Sequence, residues 1–592
     1  MLQKRVKYMI KALKLLVVSG LLLFSGGLVY AAPQDTMPAI DLGDTIYHPT
    51  LGYNGMVVSQ TYDASEAGLL VMKQGGNAID AAVATAFALA VTYPQAGNIG
   101  GGGFMMIYLA EEERVIALDY REMAPALAHR DMFLDENGAV DNAKARWSSS
   151  ASGVPGSVAG LLYAQEKYGS LSLKKVMAPA IKLAEDGFVL SRYVAGSIDD
   201  YKRRLFRSPA SKQYFFKPDG SSYQAGELLI QKDLAKTLKR IAKKGRDGFY
   251  KGAVADKIVA TMKATGGLIN HDDLIGYKVV EREVFSQTYN GYDVFSMPPP
   301  SSGGVHLLQL LNILEGYDLQ AMGHNSAQYV HTLTEAMKYV YADRSKYLGD
   351  PDFFDVPVAA LTDKKYAAHI RDKIKNDRAT PSLDISPEPK LPFESHQTTH
   401  LSTADKAGNV VSNTTTLNYT YGNGYAVAGA GFVMNNEMDD FSAKPGSPNV
   451  YGLLGGVANS IAPKKRPLSS MTPTIVLKDG KPYIATGSPG GSRIITTVLQ
   501  NVLNMLTFDM NPMEANAAPR MHHQWYPDMI KIEPGFNRDS LDKLRSMGHN
   551  IPLKQGATYN DMLGSEQTIM LKDGVLLGAA DPRYGNAHAA GY

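Results

Sequence analysis

Two adjacent threonines, Thr398 and Thr399, stand where a charged, proline-rich stretch gives way to a strand-like alternation of side chains. A threonine hydroxyl is a weak nucleophile unless a base lies beside it, and a chain-terminal threonine carries such a base in its own α-amine. That amine has a pKa of about 7.7–8.0, which suits proton transfer near neutral pH. Cleavage between Gln397 and Thr398 would release it. On these residues alone, Thr398 is either such a nucleophile or simply the start of a strand.

Backbone groups that could stabilise a developing negative charge are expected in the glycine-rich segment 487–492, which reads Gly-Ser-Pro-Gly-Gly-Ser. An apolar stretch follows it and predicts a helix. A turn that opens a helix leaves backbone N–H groups unpaired at the positive end of the helix dipole. Gly490 and Gly491 are therefore candidates for an oxyanion hole, although an ordinary loop would have the same composition.

Other chemistries are excluded or unsupported by residue type and spacing. The chain has no cysteine, which excludes a thiol nucleophile, disulfides, cysteine-bound zinc and iron–sulfur clusters. His324 and His331 lie two helical turns apart, about 10 Å, too far to share one zinc ion. The glycine run 100–103 lacks the Gly-Lys-Ser/Thr continuation of a phosphate-binding loop. We therefore predict neither a metal site nor a cofactor.

Helical patterns dominate the first half of the chain and strand patterns the second. The predicted helices are 64–73, 78–91, 157–168, 173–186, 231–244, 254–265 and 325–347. The predicted strands are 104–109, 115–118, 401–404, 410–417, 474–476 and 483–485. A composition of 44% apolar and 20% charged residues is typical of a folded globular protein. These patterns fit either separate helical and strand domains or one sheet core with helices outside it.

The first 31 residues have the composition of a secretory signal peptide. Basic residues up to Lys14 precede an apolar stretch, 15–28, and small residues end at Ala31, where a signal peptidase would cut. The apolar stretch is short for a membrane span, so we predict export to the periplasm or the medium, with a retained anchor as the alternative. Cleavage would move the net charge from +2 to about −3. The mature protein would then lack the excess positive charge with which nucleic-acid-binding proteins attract phosphates.

Motifs spread from residue 52 to the end of the chain closely resemble those of the γ-glutamyltranspeptidase family. In the first half the matching segments are 75–82, 100–104, 119–122 and 299–304. In the second half they are 398–400, 408–409, 416–418, 435–441, 466–474 and 487–493. The resemblance implies an enzyme that cuts its own chain before Thr398 and then hydrolyses or transfers γ-glutamyl groups.

The resemblance implies an α+β fold of the N-terminal nucleophile hydrolase type, a four-layer αββα sandwich. With the signal peptide 1–31 removed, cleavage would yield a large subunit, 32–397, and a small catalytic subunit, 398–592, that share one core. Residues 377–397, which include four prolines, would form a flexible tail before the cleavage site. The expected donors are γ-glutamyl amides such as glutathione, and the acceptors are water, amino acids or peptides. Neither a cofactor nor a stable membrane anchor is expected.

The catalytic residues follow from their matches to family motifs. Thr398 matches the nucleophile, and Thr416 matches a second threonine whose hydroxyl steadies it. Gly490 and Gly491 match the oxyanion hole. Tyr451 lies in a segment that resembles the lid loop of many bacterial members, and this lid favours small γ-glutamyl compounds.

The head group of such a substrate is a zwitterion, and two sets of residues match the groups that hold its charges. Those matched to the α-carboxylate are Arg121, Ser469 and Ser470. A planar guanidinium suits a carboxylate because it offers two parallel, charge-assisted hydrogen bonds. Those matched to the α-ammonium are Asn418, Glu437 and Asp440. Some bacterial relatives carry glutamine in place of Glu437, and the amide can also accept from an ammonium.

Three alternatives remain beside this function. Two keep the same fold, namely a cephalosporin or glutaryl acylase and a poly-γ-glutamate transpeptidase. The third is an exported binding protein without enzymatic activity. A set of residues for both charges of an α-amino acid argues against the acylase, and only a self-processing enzyme would give two fragments on a denaturing gel.

Overall fold

The structure of the chain is a computed structural model that describes residues 45–385, 398–446, 455–552 and 562–592. In these residues the strands are β1 (Thr50–Gly52), β2 (Gly55–Ser59), β3 (Gly102–Leu109), β4 (Arg114–Tyr120), β5 (Phe188–Val189), β6 (Leu228–Leu229), β7 (Val280–Arg282), β8 (Ser286–Tyr289), β9 (Tyr292–Ser296), β10 (Thr399–Asp405), β11 (Val410–Thr416), β12 (Thr474–Lys478), β13 (Lys481–Thr486), β14 (Met521–His522), β15 (Lys531–Ile532), β16 (Gln567–Lys572), β17 (Val575–Ala580) and β18 (His588–Gly591).

The α-helices in the same residues are α1 (Tyr62–Lys73), α2 (Ala78–Thr92), α3 (Asn142–Trp147), α4 (Ser157–Tyr168), α5 (Leu173–Asp186), α6 (Arg192–Asp200), α7 (Lys202–Leu205), α8 (Pro209–Phe215), α9 (Lys232–Lys244), α10 (Asp247–Tyr250), α11 (Ala253–Thr265), α12 (His271–Gly276), α13 (Gly303–Leu314), α14 (Leu319–Met322), α15 (Ala327–Tyr347), α16 (Val358–Leu361), α17 (Lys364–Arg371), α18 (Ser382–Ile385), α19 (Ile494–Leu506), α20 (Pro512–Ala517) and α21 (Arg538–Ser546).

Two seven-stranded antiparallel sheets hold most of the strands. Sheet I has the order β1-β17-β16-β13-β12-β9-β8, and sheet II has the order β18-β2-β10-β11-β3-β4-β7. In sheet II the hairpin β10–β11 inserts between β2 and β3, so strands from both sides of residue 398 alternate in one sheet. Residues Pro49–Tyr592 accordingly form one compact unit. Separate helical and strand domains, which composition left open, are thereby excluded for this unit.

Alternating side chains of strand β11 show how the layers pack. Val411 belongs to an apolar cluster that joins sheet II to helices that include α2 and α4. Val410, its neighbour on the opposite face, belongs to a cluster that joins both sheets to α13, α15 and α19. The order of layers is therefore helix, sheet, sheet, helix, and the four-layer αββα sandwich that the resemblance implied is confirmed.

Most of the predicted elements are confirmed, because their side-chain periodicity matches the face that each buries. Helices α4 and α5 begin and end at the predicted residues. Helix α15 begins two residues later than predicted, at Ala327, because the Ser326 side chain accepts the N–H of Tyr329 and caps the helix.

The segment before Thr398 differs in part from the prediction of a flexible tail over 377–397. Its first part is held in place: Ser382–Ile385 forms a helical turn, and the N–H of Ser382 donates to Asp528 Oδ2 at 2.9 Å. Composition does not show that a carboxylate from a distant segment satisfies this backbone group. Residues 386–397 lie outside the described residues.

The register of the β10–β11 hairpin sets the position of the first threonine. Thr399 lies opposite Thr415, which places Thr398 opposite Thr416 one step further along the ladder. Even-numbered side chains of both strands face sheet I, as Ser412 does when its hydroxyl donates to a carbonyl of β13 at 2.9 Å. Thr398 and Thr416 therefore project from the same face of sheet II.

His400 lies on that same face and packs against Gly487, the residue that directly follows strand β13 of sheet I. Its Nδ1 is 2.8 Å from Thr414 Oγ1 and its Nε2 is 3.1 Å from Ser402 Oγ. Burial lowers the pKa of His400 to about 3, so the ring is neutral. A Cβ atom on Gly487 would lie only 2.4 Å from the Cε1 atom of the His400 ring. The two sheets can approach this closely only with glycine at 487.

Gly487→Ala should therefore lower the midpoint of thermal unfolding, because the added methyl group displaces His400 or the loop. Overpacking of this kind costs about 1–3 kcal/mol. The control is Gly196→Ala in helix α6, where a Cβ meets nothing within 4 Å and alanine is the better helix former. Scanning calorimetry of both variants beside the parent protein measures the effect. Equal midpoints for the two variants would contradict this account of the contact.

Candidate active site

Thr398 directly precedes strand β10 and is 3% exposed. Its Oγ1 is 3.5 Å from Thr416 Oγ1, which accepts the backbone N–H of Asn418 at 2.8 Å. Asn418 has a φ of 68°, a left-handed conformation that asparagine adopts more readily than most residues. The turn at Asn418 thus directs its N–H back to Thr416, and the Thr416 hydroxyl is held beside Thr398.

A cleft with an empty volume of about 290 Å³ opens beside Thr398. It is lined by Arg121, Arg344, Thr398, Thr416, Glu437, Asp440, Ser469, Ser470, Met471, Gly491 and Ile494. Most residues that sequence analysis singled out are thus brought together from segments more than 300 positions apart.

A buried arginine, Arg121, directly follows strand β4 and organises one side of the cleft. Its Nη1 pairs with Glu437, and its Nη2 lies 2.5 Å from Asp440 Oδ2. Both acids belong to a single 3₁₀ turn, Glu437–Asp440, and their spacing of three residues brings both carboxylates to one guanidinium. A third carboxylate, that of Glu122, lies 3.6 Å from Nη1.

This cluster has more acidic than basic groups, and the proton affinities of its carboxyls shift upward. Burial raises the pKa of Glu122 to about 7, although the charge of Arg121 opposes the shift. Burial, together with the neighbouring acids, raises the pKa of Glu437 well above its usual range, and burial also raises that of Asp440. A cation placed beside these acids would offset the cost of their burial.

Ser469 and Ser470 also line the cleft and are linked to a second buried arginine, Arg344. The Arg344 guanidinium donates from Nη2 to Ser470 Oγ at 3.1 Å and from Nε to Ser302 Oγ at 2.9 Å. The Ser302 hydroxyl then donates to the carbonyl of Ser469 at 2.7 Å. The serine pair is therefore positioned by α15, which carries Arg344, and by the start of α13.

The two candidate oxyanion-hole glycines lie where sheet I leads into α19. Gly490 has a φ of 141° and Gly491 a φ of 58°, values that disfavour any residue with a Cβ. Among the described residues, neither backbone N–H has a hydrogen-bond acceptor. Both donors are therefore free to bind an oxyanion, as a helix start allows.

Four predicted site residues do not line the cleft themselves. Gly490 and Asn418 adjoin it through Gly491 and Thr416. Gln397 and Tyr451 lie outside the described residues.

The chain matches the family model described as Gamma-glutamyltranspeptidase over residues 64–591. It belongs to the gamma-glutamyltranspeptidase family. It is 50% identical over 573 residues to the glutathione hydrolase proenzyme of Escherichia coli (strain K12), which covers 96% of this chain and 98% of that protein. It is 47% identical over 552 residues to the glutathione hydrolase proenzyme of Pseudomonas sp. (strain A14), with 92% and 95% covered.

Among solved structures, the cephalosporin acylase from Bacillus halodurans matches with a TM-score of 0.81 at 28% identity, covering 93% of this chain and 98% of that one. The gamma-glutamyltranspeptidase family thus shares its fold with acylases, and the predicted fold class is confirmed. The two relatives above are both named proenzymes.

Sequence analysis missed three residues that line the cleft, Arg344, Met471 and Ile494, and of these only Arg344 is charged. It lies on the buried stripe of α15, in step with Val330, Leu333, Met337 and Val340. Apolar residues dominate such a stripe, and a fully buried arginine is rare unless it is paired or has a ligand. A single arginine within an apolar helix face was therefore the sequence feature that could have identified Arg344 as a candidate site residue.

One cluster within the described residues has the spacing of a metal site, formed by His331, Glu335 and His549. Sequence analysis compared His331 only with His324, because its true neighbour lies 218 positions away in sequence. Its donor atoms are already engaged: His331 Nδ1 lies 2.7 Å from His549 Nε2, and Lys338 Nζ is 2.9 Å from Glu335 Oε1. An ammonium beside the acid disfavours a second cation, so the absence of a metal stays our prediction.

The cluster around Arg121 predicts a pH dependence of stability. An acid whose pKa is raised by folding keeps its proton longer in the folded protein, so its stability contribution falls as pH rises from its unfolded pKa to its folded pKa. For Glu122 this window runs from 4.5 to about 7.

Glu437→Gln removes one carboxylate from the cluster and keeps the hydrogen bond to Arg121. Its unfolding midpoint, relative to the parent protein, should therefore rise between pH ~5 and ~8.

Glu111→Gln, which removes an exposed carboxylate, serves as the matched control and should show no such trend. Scanning calorimetry at several pH values measures all three proteins. A difference between Glu437→Gln and the parent that stays constant with pH would show that the cluster holds no extra proton.

Proposed function

We propose that this chain is a precursor that cleaves itself before Thr398 and then hydrolyses or transfers γ-glutamyl groups, with glutathione as a donor. The observation that supports it best is the cleft in which Thr398 and Thr416 stand together beside Arg121, Glu437 and Asp440. A relative that is 50% identical over nearly its whole length is named a glutathione hydrolase proenzyme.

In the proposed reaction the free α-amine of Thr398 takes the proton of the Thr398 hydroxyl. Oγ1 forms a bond to the γ-carbonyl carbon, and the resulting oxyanion accepts the N–H groups of Gly490 and Gly491. The carbon–nitrogen bond then breaks, and the leaving amine takes the proton from the threonine ammonium. Water or an acceptor amine then attacks the ester carbonyl carbon and gives its proton to the α-amine. The bond from that carbon to Oγ1 breaks, Oγ1 takes the proton back from the ammonium, and glutamate or the transfer product leaves.

Recognition rests on both charges of the γ-glutamyl head group. Arg121, Ser469 and Ser470 hold the α-carboxylate, while Asn418, Glu437 and Asp440 hold the α-ammonium. The excess of carboxyls around Arg121 supports the second assignment, because an ammonium added to this cluster compensates buried negative charge.

Processing and export form part of the same proposal. A signal peptide, 1–31, is removed, and the large subunit, 32–397, stays with the small subunit, 398–592. Interleaved strands support this, because β10 and β11 pair with β2 and β3 across the cleavage point.

Among the described residues, no helix is long and apolar enough to cross a membrane. Tyr451 would belong to the lid segment that the family resemblance implies.

The rival function is that of an acylase, which the match to the Bacillus halodurans enzyme favours. A poly-γ-glutamate transpeptidase is the other rival with this fold. Acylase substrates of the glutaryl type lack the α-ammonium, so they leave Glu437 and Asp440 without a cation.

Thr398→Ala should remain one chain and lack activity, because it removes the hydroxyl that attacks in both self-cleavage and turnover. Thr398→Ser keeps a hydroxyl and should be cut, more slowly. A denaturing gel and release of chromophore from a γ-glutamyl anilide measure the two events. Two fragments from Thr398→Ala would show that another group or protease cuts the chain.

The parent protein should cleave γ-glutamyl anilide far faster than glutaryl anilide, which lacks only the amino group. Asp440→Asn should lower kcat/KM for the γ-glutamyl compound about ten- to a hundredfold, since a charge-assisted hydrogen bond contributes about 1.5–3 kcal/mol. Self-cleavage involves no free ammonium and should persist, which the gel checks. Equal turnover of the two anilides by the parent protein would favour the acylase.

A further inference from the structure

The turn that carries Gly490 and Gly491 has little conformational restraint of its own. Glycine adopts a wider range of backbone angles than any other residue, and two glycines in succession multiply that freedom. The φ of 141° at Gly490 is far from the values found in helices and strands. Hydrogen-bond donors stabilise an oxyanion best when they already point at it. The contacts that hold this turn from outside therefore decide how well its N–H groups are aimed.

Ser492, the next residue, is held by two buried side chains from other parts of the fold. Its carbonyl oxygen accepts the hydroxyl of Tyr341 at 2.5 Å, and its own hydroxyl donates to Gln524 Oε1 at 2.7 Å. Tyr341 lies on helix α15, and Gln524 lies two residues after strand β14. All three residues are buried, so water does not compete for these hydrogen bonds. Ser492 is thereby fixed in orientation, and Gly491 is bonded to it directly.

The two side chains that hold Ser492 are also joined to each other, through His522. Gln524 Oε1 lies 2.8 Å from His522 Nε2, which donates because an amide oxygen can only accept. The rings of His522 and Tyr341 meet edge to face, with 5.8 Å between their centroids. His522 Nδ1 lies 2.8 Å from Thr496 Oγ1, on the first turn of α19. The network therefore restrains the glycine turn and the helix that follows it as one unit.

We propose that Tyr341 and Gln524 are positioning residues of the oxyanion hole, which act through Ser492 to aim the N–H groups of Gly490 and Gly491. This inference rests on the proposed function, in which the oxyanion forms on the γ-carbonyl of the donor. Neither side chain is among the residues that line the cleft, so a donor in the cleft would meet the turn and not the network. Tyr341 precedes the proposed cleavage point, so the large subunit would help to set the oxyanion hole of the small one.

Tyr341→Phe removes only the hydroxyl that donates to Ser492 and keeps the ring that packs on His522. We expect kcat for γ-glutamyl anilide to fall about ten- to a hundredfold, because a misplacement of about 1 Å can cost that much. KM should change by less than about twofold, since the aimed donors act mainly on the transition state. Ser492→Ala removes the second restraint, the hydrogen bond to Gln524, and should show the same pattern.

Two inhibitors separate the aim of the donors from binding of the head group. In a boronic acid analogue of glutamate, boron replaces the γ-carbonyl carbon. Thr398 Oγ1 bonds to boron and gives its proton to the α-amine, and the tetrahedral boronate then carries the negative charge of the intermediate. Norvaline has the same head group and carbon chain but no oxygen at that carbon. The Ki of the boronic acid should rise in each variant by the factor by which kcat/KM falls, while the Ki of norvaline stays at the parent value.

The matched control is Tyr329→Phe, which removes a hydroxyl from the same helix. Tyr329 is fully buried, and its hydroxyl has no hydrogen-bond partner in the described part of the chain. It lies three helical turns before Tyr341, about 18 Å along α15. Tyr329→Phe should therefore leave kcat, KM and both Ki values unchanged.

An unchanged kcat in both Tyr341→Phe and Ser492→Ala would overturn the proposal. A rise in the Ki of norvaline as large as that of the boronic acid would do so as well, because it would show a general disturbance of the cleft. If neither variant yields two fragments, the network serves folding or self-cleavage, and the proposal is wrong.

Failure of the proposed function is a separate result, since it appears in the parent protein as a preference for glutaryl over γ-glutamyl anilide. Both compounds form an oxyanion at the same carbon. The comparison is then made with glutaryl anilide and the boronic acid that lacks the amino group, and it still decides the roles of Tyr341 and Ser492.

Discussion

The pairing of β10 with β11 is the constraint on which the rest of the site depends. Its register sets Thr398 opposite Thr416, and the alternation of a strand turns both hydroxyls to the same face. The hairpin lies in the middle of sheet II, flanked by β2 and β3, so it cannot shift without breaking ladders on both sides. A threonine at the head of this strand therefore has little positional freedom, as a nucleophile requires.

The two buried arginines of the cleft differ in how far neighbouring acids compensate their charge. Three carboxylates surround Arg121, while Arg344 has hydroxyls and no acid within ion-pair distance among the described residues. Each arrangement alone costs folding free energy, because buried charge is left partly uncompensated. An ammonium bound beside Arg121 would compensate the acids around it. Such sites are where raised carboxyl pKa values are expected.

Close approach between the layers makes this arrangement possible. Gly487 lets sheet I meet the His400 ring of sheet II, and the next turn brings Gly491 to the cleft with Gly490 adjoining it. On the other side, Ser302 at the start of α13 joins Arg344 to the serine pair. The site is thus built where two sheets and two helices converge, and no single segment contains it.

The sequence by itself determined the helices and strands with strong periodicity and the family. It also supplied Thr398 and the glycine-rich segment 487–492 as candidates, because each of these depends on local pattern or on contiguous motifs. Periodicity predicted α4 and α5 to the residue. Only the tertiary structure decided that Arg121 holds Glu437 and Asp440, that Arg344 enters the cleft, and that His331 has His549 as its neighbour. These contacts join residues that lie far apart in the chain. Their partners are set by how layers pack, which no local pattern encodes.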